Sequence, residues 1–304
     1  VWQDKRNGLD YDIYAQKLST NGVTQWAVNG VAVCSATDTQ NNPKIENDGL
    51  DGVIIGWADK RNGSDYNVYA QRLNGSGVPQ WPANGISVCS EANNQSAIDL
   101  SSENISGAIF TWKDYRNNIY ADIYAQYIDV SGAVQWTING IPISTKPFDQ
   151  LNPNIVTDSS GAIIVWQDSI AQWDIYAQKI LLNGSVQWGA NGKIIGNAAN
   201  SQVEPKHLND GKGGAIIAWQ DNRDTSKFDI YAQNINSDGS LGNSVGMSEL
   251  QAGDFRVQVY PNPNEGKFQI SPVFLRDESP IEKIEIYNLL GERIFSNSLC
   301  LKWP

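Results

Sequence analysis

Histidine, cysteine and long apolar runs are all scarce in this sequence of 304 residues. The chain holds one histidine and three cysteines. Three cysteines do not make a disulfide framework, and His207 has no cluster of cysteines or carboxylates at the spacing of metal ligands. No apolar run approaches the roughly 20 residues that a membrane-spanning helix needs, so we expect no insertion into a membrane. No segment shows helical periodicity of any length, which favours an all-β architecture.

Basic residues are also in deficit. The 22 lysines and arginines are outnumbered by 33 aspartates and glutamates, giving a net charge of -11, and no basic run provides a local exception. We therefore expect no nucleic-acid partner and no attraction to anionic membranes. No phosphate-binding glycine loop is present either. Hydrophobic residues make up 40% of the chain and aromatics 10%, so it folds around a substantial core.

The sequence is rich in one repeated stretch, Asp174-Ile175-Tyr176-Ala177-Gln178. Copies with almost no change begin at residues 12, 67, 122, 174 and 229. A Trp-x-Asp precedes each copy, at Trp2, Trp57, Trp112, Trp166 and Trp219, with periods of 55, 55, 54 and 53 residues. A fixed period in this range indicates stacked units, each of which buries its apolar face against its neighbours.

A complete unit contains four short apolar runs separated by turn signals, as in 153–157, 162–166, 174–180 and 193–195. Four antiparallel strands in a unit of about 50 residues predict the blade of a β-propeller. We therefore predict an all-β chain whose five propeller units lie near 1–42, 43–95, 96–151, 152–203 and 204–250. The first unit lacks its opening strand, and the final strand of the last unit has decayed over 239–245. Because Val1-Trp2 aligns with Val165-Trp166 inside a strand, we expect further sequence upstream.

The connections between second and third strands should ring one face, on the same side as the connections between blades. Four of them carry an arginine two residues after the aspartate: Arg6, Arg61, Arg116 and Arg223. Four carry an aromatic residue before the third strand: Tyr11, Tyr66, Trp173 and Phe228. Arginine with aromatics on a concave rim is typical of sugar, peptide or protein recognition, so these are the candidate ligand-binding residues.

An alternative reading assigns the same side chains to the framework. Each arginine would pair with Asp4, Asp59, Asp114 or Asp221 to stiffen its own hairpin, and the aromatics would cap the packing of the blades. The repeated tryptophans are assigned to packing in the same way. They form two sets, one ending the second strands (Trp57, Trp112, Trp166, Trp219) and one in the later turns (Trp26, Trp81, Trp136, Trp188).

The sequence shows no catalytic constellation. Five-bladed glycosidases place separated carboxylates near the starts of their innermost strands. Here those starts read Asn42-Pro43, Ser96-Ala97, Asn152-Pro153 and Glu204-Pro205, with a single acid among them. We expect no cofactor. Calcium is the one option, since oxygen-rich loops hold Asp4, Asp10 and Asp12, or Asp59 and Asp65, although the interposed arginines oppose a cation there.

Residues 254–304 depart from the repeat. They contain Tyr260-Pro261-Asn262-Pro263-Asn264-Glu265-Gly266-Lys267-Phe268-Gln269-Ile270 and Ile286-Tyr287-Asn288-Leu289-Leu290-Gly291-Glu292. Both motifs resemble, in residue and order, the C-terminal sorting domain of substrates of the Bacteroidota type IX secretion system. The resemblance implies a small Ig-like β-sandwich, recognition by a secretion translocon, and release or anchoring at the outer cell surface. Family members usually continue beyond the point where this chain stops, at Leu301-Lys302-Trp303-Pro304, so we expect the domain to be incomplete.

These observations predict a secreted or cell-surface propeller that acts as a non-catalytic binding or adhesion module for an extracellular glycan, peptide or protein. Two alternatives remain. One is a secreted hydrolase of polysaccharide or peptide, or a module that presents substrate to one. The other is a structural element of a surface layer.

Overall fold

The computed structural model describes residues 1–102 and 105–242 in full, and the backbone of four strands between 255 and 298. The chain divides into two compact units, Val1–Gly246 and Met247–Pro304. All the regular elements among the described residues are β-strands, which confirms the all-β prediction. The described part of the chain contains no helix that could cross a lipid bilayer.

The first unit is a succession of five antiparallel sheets, one per repeat, which we call blades 1 to 5. Blade 1 comprises β1 (Trp2–Asp4), β2 (Asp12–Ala15) and β3 (Val31–Cys34). Blade 2 comprises β4 (Gln40–Asn47), β5 (Val53–Asp59), β6 (Asn67–Leu73) and β7 (Ile86–Cys89). Blade 3 comprises β8 (Gln95–Ser101), β9 (Gly107–Asp114), β10 (Asp122–Asp129) and β11 (Ile141–Ser144). Blade 4 comprises β12 (Gln150–Asp158), β13 (Gly161–Asp168), β14 (Asp174–Leu181) and β15 (Lys193–Gly196). Blade 5 comprises β16 (Gln202–Asn209), β17 (Ala215–Asp221) and β18 (Asp229–Ile235).

Within each blade every strand pairs with the next one along the chain. Blades 2 to 4 have four strands, and blade 1 lacks the innermost strand, as predicted. Blade 5 has three strands over the described residues, and its predicted final strand at 239–245 extends beyond them. The meander of four-stranded sheets confirms the propeller architecture.

The second strands of blades 2 to 4 form the centre of the core because both of their faces are covered. Every residue of β13 is buried, as its continuously apolar sequence predicts. Trp57, Trp112 and Trp166 are completely buried, and Trp219 is nearly so. The indoles of Trp112 and Trp166 stack on the tyrosines opposite them in the third strand. These four tryptophans are core residues, as the packing interpretation states.

The second set of tryptophans joins neighbouring blades. Each indole Nε1 donates a hydrogen bond to a backbone carbonyl in a hairpin of the following blade. The pairs are Trp26 with Gly75 at 3.0 Å, Trp81 with Val130 at 3.1 Å, Trp136 with Leu182 at 2.8 Å and Trp188 with Ser237 at 3.2 Å. The packing interpretation therefore also holds for this set.

The innermost strands each carry a β-bulge close to their start. The register shifts there in β4, β8, β12 and β16, around residues with positive φ: Asn42 (51°), Ala97 (49°), Asn152 (53°) and Glu204 (54°). A bulge interrupts the strict alternation of side chains and re-aims those that follow. These four bulges set the geometry of the cavity described below.

The loop face lies beside the starts of the innermost strands. Gln40, Gln95, Gln150 and Gln202 each donate a backbone hydrogen bond of 2.7 or 2.8 Å to a carbonyl just before the third strand of the preceding blade. The acceptors are Tyr11, Tyr66, Ala121 and Trp173. The loops and the inner-strand starts therefore share one face, as predicted.

The second unit contains two antiparallel hairpins. β19 (Phe255–Tyr260) pairs with β20 (Gln269–Phe274), and β21 (Lys283–Tyr287) pairs with β22 (Arg293–Ser298). Strands are thus formed on both sides of the Pro-Asn-Pro-Asn segment and at the second motif. The packing of the hairpins into an Ig-like sandwich stays a prediction.

Candidate functional site

A cavity of about 410 Å³ lies at the starts of four consecutive inner strands, β4, β8, β12 and β16. Its volume falls in the range of small-ligand sites. Seven of its lining side chains are polar: Asn42, Lys44, Asp99, Asn152, Asn154, Glu204 and Lys206. The bulges place them there, since each follows or occupies the bulge of its strand.

Charges in the cavity are balanced, with two lysines and two carboxylates. Lys44 Nζ lies 3.8 Å from Asp99 Oδ1, and Asp99 Oδ2 accepts a hydrogen bond of 3.1 Å from the backbone N–H of Ile155. Burial raises the pKa of Asp99 above its ordinary value, and the positive charges of Lys44 and Lys206 oppose that shift. Asp99 is therefore held between β4 and β12.

The other side of the cavity is cross-linked by amides. Asn152 Nδ2 donates to Glu204 Oε1 at 2.9 Å, and Lys206 Nζ donates to Asn154 Oδ1 at 2.6 Å. These bonds tie β12 to β16. The cavity thus presents both hydrogen-bond donors and acceptors without an excess of either charge.

Sequence reasoning located part of this site and missed the rest. Asn42, Asn152 and Glu204 were named as inner-strand starts, but Lys44, Asp99 and Lys206 were not recognised as their neighbours. The signal that could have found Lys44 and Lys206 is the proline that follows Asn42 and Glu204; no proline precedes Asp99, so that strand carries no such signal. A proline cannot donate to a ladder, so on an inner strand it marks an interruption and a change of side-chain direction.

The four candidate arginines contact the framework of their own blades. Arg61 forms a bidentate pair with Asp59, with Nε at 2.9 Å from Oδ1 and Nη2 at 2.6 Å from Oδ2. Its Nη2 also donates to the carbonyl of Asn84 at 2.8 Å, and the guanidinium lies 3.8 Å above the ring of Tyr69. Arg116 and Arg223 form the same bidentate pair with Asp114 and Asp221, and Arg6 contacts Asp4 through Nη2. This geometry favours the hairpin-stiffening alternative; ligand binding by these arginines stays a prediction.

The candidate aromatics are placed differently. Tyr11 and Phe228 are exposed, whereas Tyr66 and Trp173 are half-buried. Blade 3 adds a pair that the sequence did not reveal, Tyr120 and Phe148, both exposed with their ring centroids 5.5 Å apart. Exposed aromatic rings therefore lie in the loops of this face, although none of them lines the cavity.

The remaining chemistry-bearing residues are structural. His207 Nε2 lies 3.0 Å from the carbonyl oxygen of Ile163, and burial lowers the pKa of this histidine to about 4. Cys34 and Cys89 are buried free thiols whose pKa is raised to about 12, chiefly by burial, so neither is a ready nucleophile.

The arrangement of side chains in the described residues gives little support for a metal site. Within residues 1–102 and 105–242 no three His, Cys, Asp or Glu side chains are grouped to hold a metal ion. Asp4 and Asp59 accept hydrogen bonds from the arginine and the tryptophan of their own Trp-x-Asp-x-Arg segment. Calcium binding in these loops stays a prediction.

Comparison with known proteins gives one family match and several distant structures. Residues 258–302 match the model of the secretion system C-terminal sorting domain. No curated protein matches the chain.

Among solved structures, a putative TolB from Agrobacterium tumefaciens is similar at 16% identity and a TM-score of 0.41, over 76% of this chain and 80% of that one. An endo-arabinase from Bacteroides thetaiotaomicron is similar at 12% and 0.39, over 86% and 94%. An alpha-L-arabinanase from Penicillium chrysogenum is similar at 10% and 0.41, over 83% and 79%. With such low TM-scores and identities, these similarities carry no argument about activity.

The matched segment contains the sorting motifs found in the sequence. Tyr260 lies on β19, and Ile286 and Tyr287 lie on β21. The other motif residues lie outside the described ones: Pro261, Asn262, Pro263, Asn264, Gly266, Phe268, Asn288 and Gly291. The chain is a secreted β-propeller repeat protein that carries, in residues 258–302, a sorting domain of the type IX secretion system and is directed by it to the outer cell surface.

Proposed function

We propose that the propeller is a non-catalytic recognition module that binds an extracellular glycan in the inner-strand cavity. The observation that carries this proposal is the cavity of about 410 Å³ at the shared face of four consecutive inner strands. Exposed aromatic rings lie in the loops of the same face. Sites that fix small ligands commonly combine a concave surface with a few convergent polar groups.

A neutral, hydroxyl-rich ligand fits the charges of the cavity better than an ion. Lys44 and Lys206 are matched by Asp99 and Glu204, and the chain as a whole carries a charge of -11, which repels anionic ligands. The amides of Asn42, Asn152 and Asn154 both donate and accept hydrogen bonds, as sugar hydroxyls do. Tyr11 and Phe228, with Tyr120 and Phe148, supply exposed ring faces in the loops of the same face.

A glycan array probed with the purified full chain tests the proposal. A double variant, Lys206→Ala with Asn154→Ala, removes one bonded pair from the cavity, and we expect it to lose binding. Lys212→Ala is the matched control, because Lys212 is exposed in a hairpin turn of blade 5 and is absent from the cavity lining. Retained binding by the double variant would contradict the assignment.

A hydrolase is the second candidate, because two carboxylates, Asp99 and Glu204, line one cavity and burial raises the pKa of Asp99. Glycosidases use such a pair, with the raised group as the acid. If the protein releases new reducing ends from a glycan that it binds on the array, and Asp99→Asn abolishes this release, the hydrolase would be favoured. Binding without cleavage would favour the module. A folded protein that binds no glycan would favour the architectural alternative.

A further inference from the structure

One blade lacks the guanidinium that fills the same position in the other four. In blade 4 the residue after the Trp-x-Asp-x spacing is Ile170, where blade 2 has Arg61. The surrounding groups are nevertheless retained: Trp166, Asp168 and Tyr176 take the places of Trp57, Asp59 and Tyr69. Blade 4 therefore keeps the partners of an arginine without the arginine itself.

Those partners are left without hydrogen bonds. Both carboxylate oxygens of Asp168, Nε1 of Trp166 and Oγ of Ser144 are buried and have no hydrogen-bond partner. In blade 2 the equivalent groups are bonded, since Trp57 Nε1 donates to Asp59 at 2.7 Å and Arg61 donates to both oxygens of Asp59. Ser144 stands where Cys34 contacts Arg61 Nη2 at 3.2 Å. Buried polar groups are normally satisfied, so a cluster of unsatisfied ones points to a missing partner.

Lys146 partly compensates from the connection between β11 and β12. Its Nζ lies 3.3 Å from Asp168 Oδ2 and 3.8 Å from the ring centroid of Tyr176. The ion pair lacks the geometry of a hydrogen bond to Asp168, because both of its oxygens remain unbonded. An ammonium is a compact charge on a flexible stem, whereas a guanidinium presents a planar fork that matches a carboxylate. Lys146 is therefore a weaker occupant than the arginines of the other blades.

The pKa of the aspartate in the Trp-x-Asp segment is shifted in opposite directions in blades 1 and 4. In blade 1 the hydrogen bond from Arg6 holds the pKa of Asp4 well below its ordinary range. In blade 4 burial raises the pKa of Asp168 by more than the nearby Lys146 and Trp166 side chains lower it. A cation with better geometry at this position would stabilise the charged form of Asp168.

We propose that blade 4 binds a guanidinium group from outside, the side chain of an arginine on a peptide or protein partner, in the slot formed by Asp168, Trp166, Tyr176 and Ser144. The carboxylate of Asp168 accepts the two N–H groups of the fork, and the ring of Tyr176 covers its face. The carbonyl of Asn191 takes the part that Asn84 and Asn139 play for Arg61 and Arg116. That equivalence is supported by Asn191 Oδ1, which accepts from Thr145 N as Asn84 Oδ1 accepts from Ser35 N.

The incoming guanidinium displaces the side chain of Lys146 from Asp168. The side chain of Lys146 is 16% exposed and Ile170 is 43% exposed, so both lie at the surface end of the slot. None of the slot residues lines the inner-strand cavity. The inference therefore goes beyond the proposed glycan site and stands independently of it.

Calorimetric titration of the full chain with agmatine, a small guanidinium compound, tests the proposal, with 1,5-diaminopentane as the amine control. We expect agmatine to bind and the diamine to bind far more weakly. Lys146→Ala removes the internal competitor and is expected to tighten agmatine binding by about fivefold, the size of a partly exposed ion pair that no longer has to be broken.

Ile170→Arg supplies an internal guanidinium, as in blades 1, 2, 3 and 5, and is expected to abolish agmatine binding. Ile138→Arg is the matched control for added charge, because Ile138 is 78% exposed in a turn; it should leave binding unchanged. Equal affinity for agmatine and the diamine, unchanged affinity in Ile170→Arg, or no binding by folded Lys146→Ala would each overturn the proposal.

Discussion

Blade 2 and blade 4 have the same strand order and register but satisfy the same buried aspartate in different ways. Trp57 faces Tyr69 in one, and Trp166 faces Tyr176 in the other. Asp59 is hydrogen-bonded by an arginine and a tryptophan, whereas Asp168 has only the ion pair with Lys146. The blade survives the change, so apolar packing sets its shape and the polar network is an addition to it.

The largest effect we expect comes from the element that the two blades share. Trp57→Ala and Trp166→Ala each remove a completely buried indole and should lower the free energy of unfolding by about 3–5 kcal/mol. The loss at Trp57 should be greater by about 1 kcal/mol, because a hydrogen bond to Asp59 is lost with it. Urea unfolding followed by circular dichroism measures both. A small loss at Trp166 alone would mean that blade 4 depends less on its core.

The next effect concerns the cation, where the two blades differ. Arg61→Ala leaves Asp59 buried without its partner and should cost about 3 kcal/mol of unfolding free energy. Lys146→Ala breaks a single ion pair with poor geometry and should cost about 1 kcal/mol. The double variant Arg61→Ala with Asp59→Asn is the control, since removing both charges should restore part of the loss. Equal costs for the two single variants would contradict the comparison.

A subtler difference separates blade 2 from blade 3. Asn67 Nδ2 donates to Gln95 Oε1 at 2.9 Å, but blade 3 has Asp122 in that place, and the buried Gln150 Oε1 has no partner. The amide of Gln150 is fixed in direction, because its Nε2 donates to the carbonyls of Lys146 and Phe148. In blade 3 the carboxylate of Asp122 and Gln150 Oε1, which both accept hydrogen bonds, therefore occupy the positions of the donor and the acceptor of blade 2. The pKa of Asp122 is raised to about 6 by burial and by the charge of Asp114, against the opposing effect of Arg116 and Asn117.

The smallest predicted effect is a pH dependence due to Asp122. Between the unfolded pKa of about 4 and the folded value of about 6, the folded protein binds the extra proton. Stability should therefore fall as the pH rises through this window and stay lower above it. Asp122→Asn should remove this slope and add about 1 kcal/mol at neutral pH, after allowance for solvent screening. Thermal unfolding from pH 4 to pH 8 measures the slope.

Asn67→Asp is the reverse exchange for that prediction. It places a carboxylate opposite Gln95 Oε1 and should introduce into blade 2 the slope that Asp122→Asn removes from blade 3. A pH profile that neither substitution alters would show that the extra proton of the folded state is not bound at Asp122.

The repeat made most of the architecture predictable. Five copies of one pattern define where strands end, and the continuous apolar run ending at Trp166 predicts a strand covered on both faces, which β13 is. The pairing of Arg61 with Asp59 was one of two readings of the same spacing. In the structure the guanidinium is held by Asp59, Tyr69 and Asn84 together, which the spacing alone does not indicate.

The site was less predictable because it depends on departures from the repeat. Lys146 reaches Asp168 from a connection 22 residues earlier, and no motif links the two positions. Asp99 reaches the cavity because the bulge around Ala97 changes the direction of β8, so counting alternate residues from the strand start misplaces it. Both are long-range or irregular features, which local patterns do not encode.

The second set of tryptophans, which joins neighbouring blades, has an evolutionary consequence. Trp26, Trp81, Trp136 and Trp188 each hold the hairpin of the following blade through a backbone carbonyl, a group that every residue provides. Any blade can therefore receive the indole of any predecessor. Duplication or deletion of one whole blade by recombination within the repeated codons would leave every such junction intact, so lineages can change the number of blades without inventing a new interface.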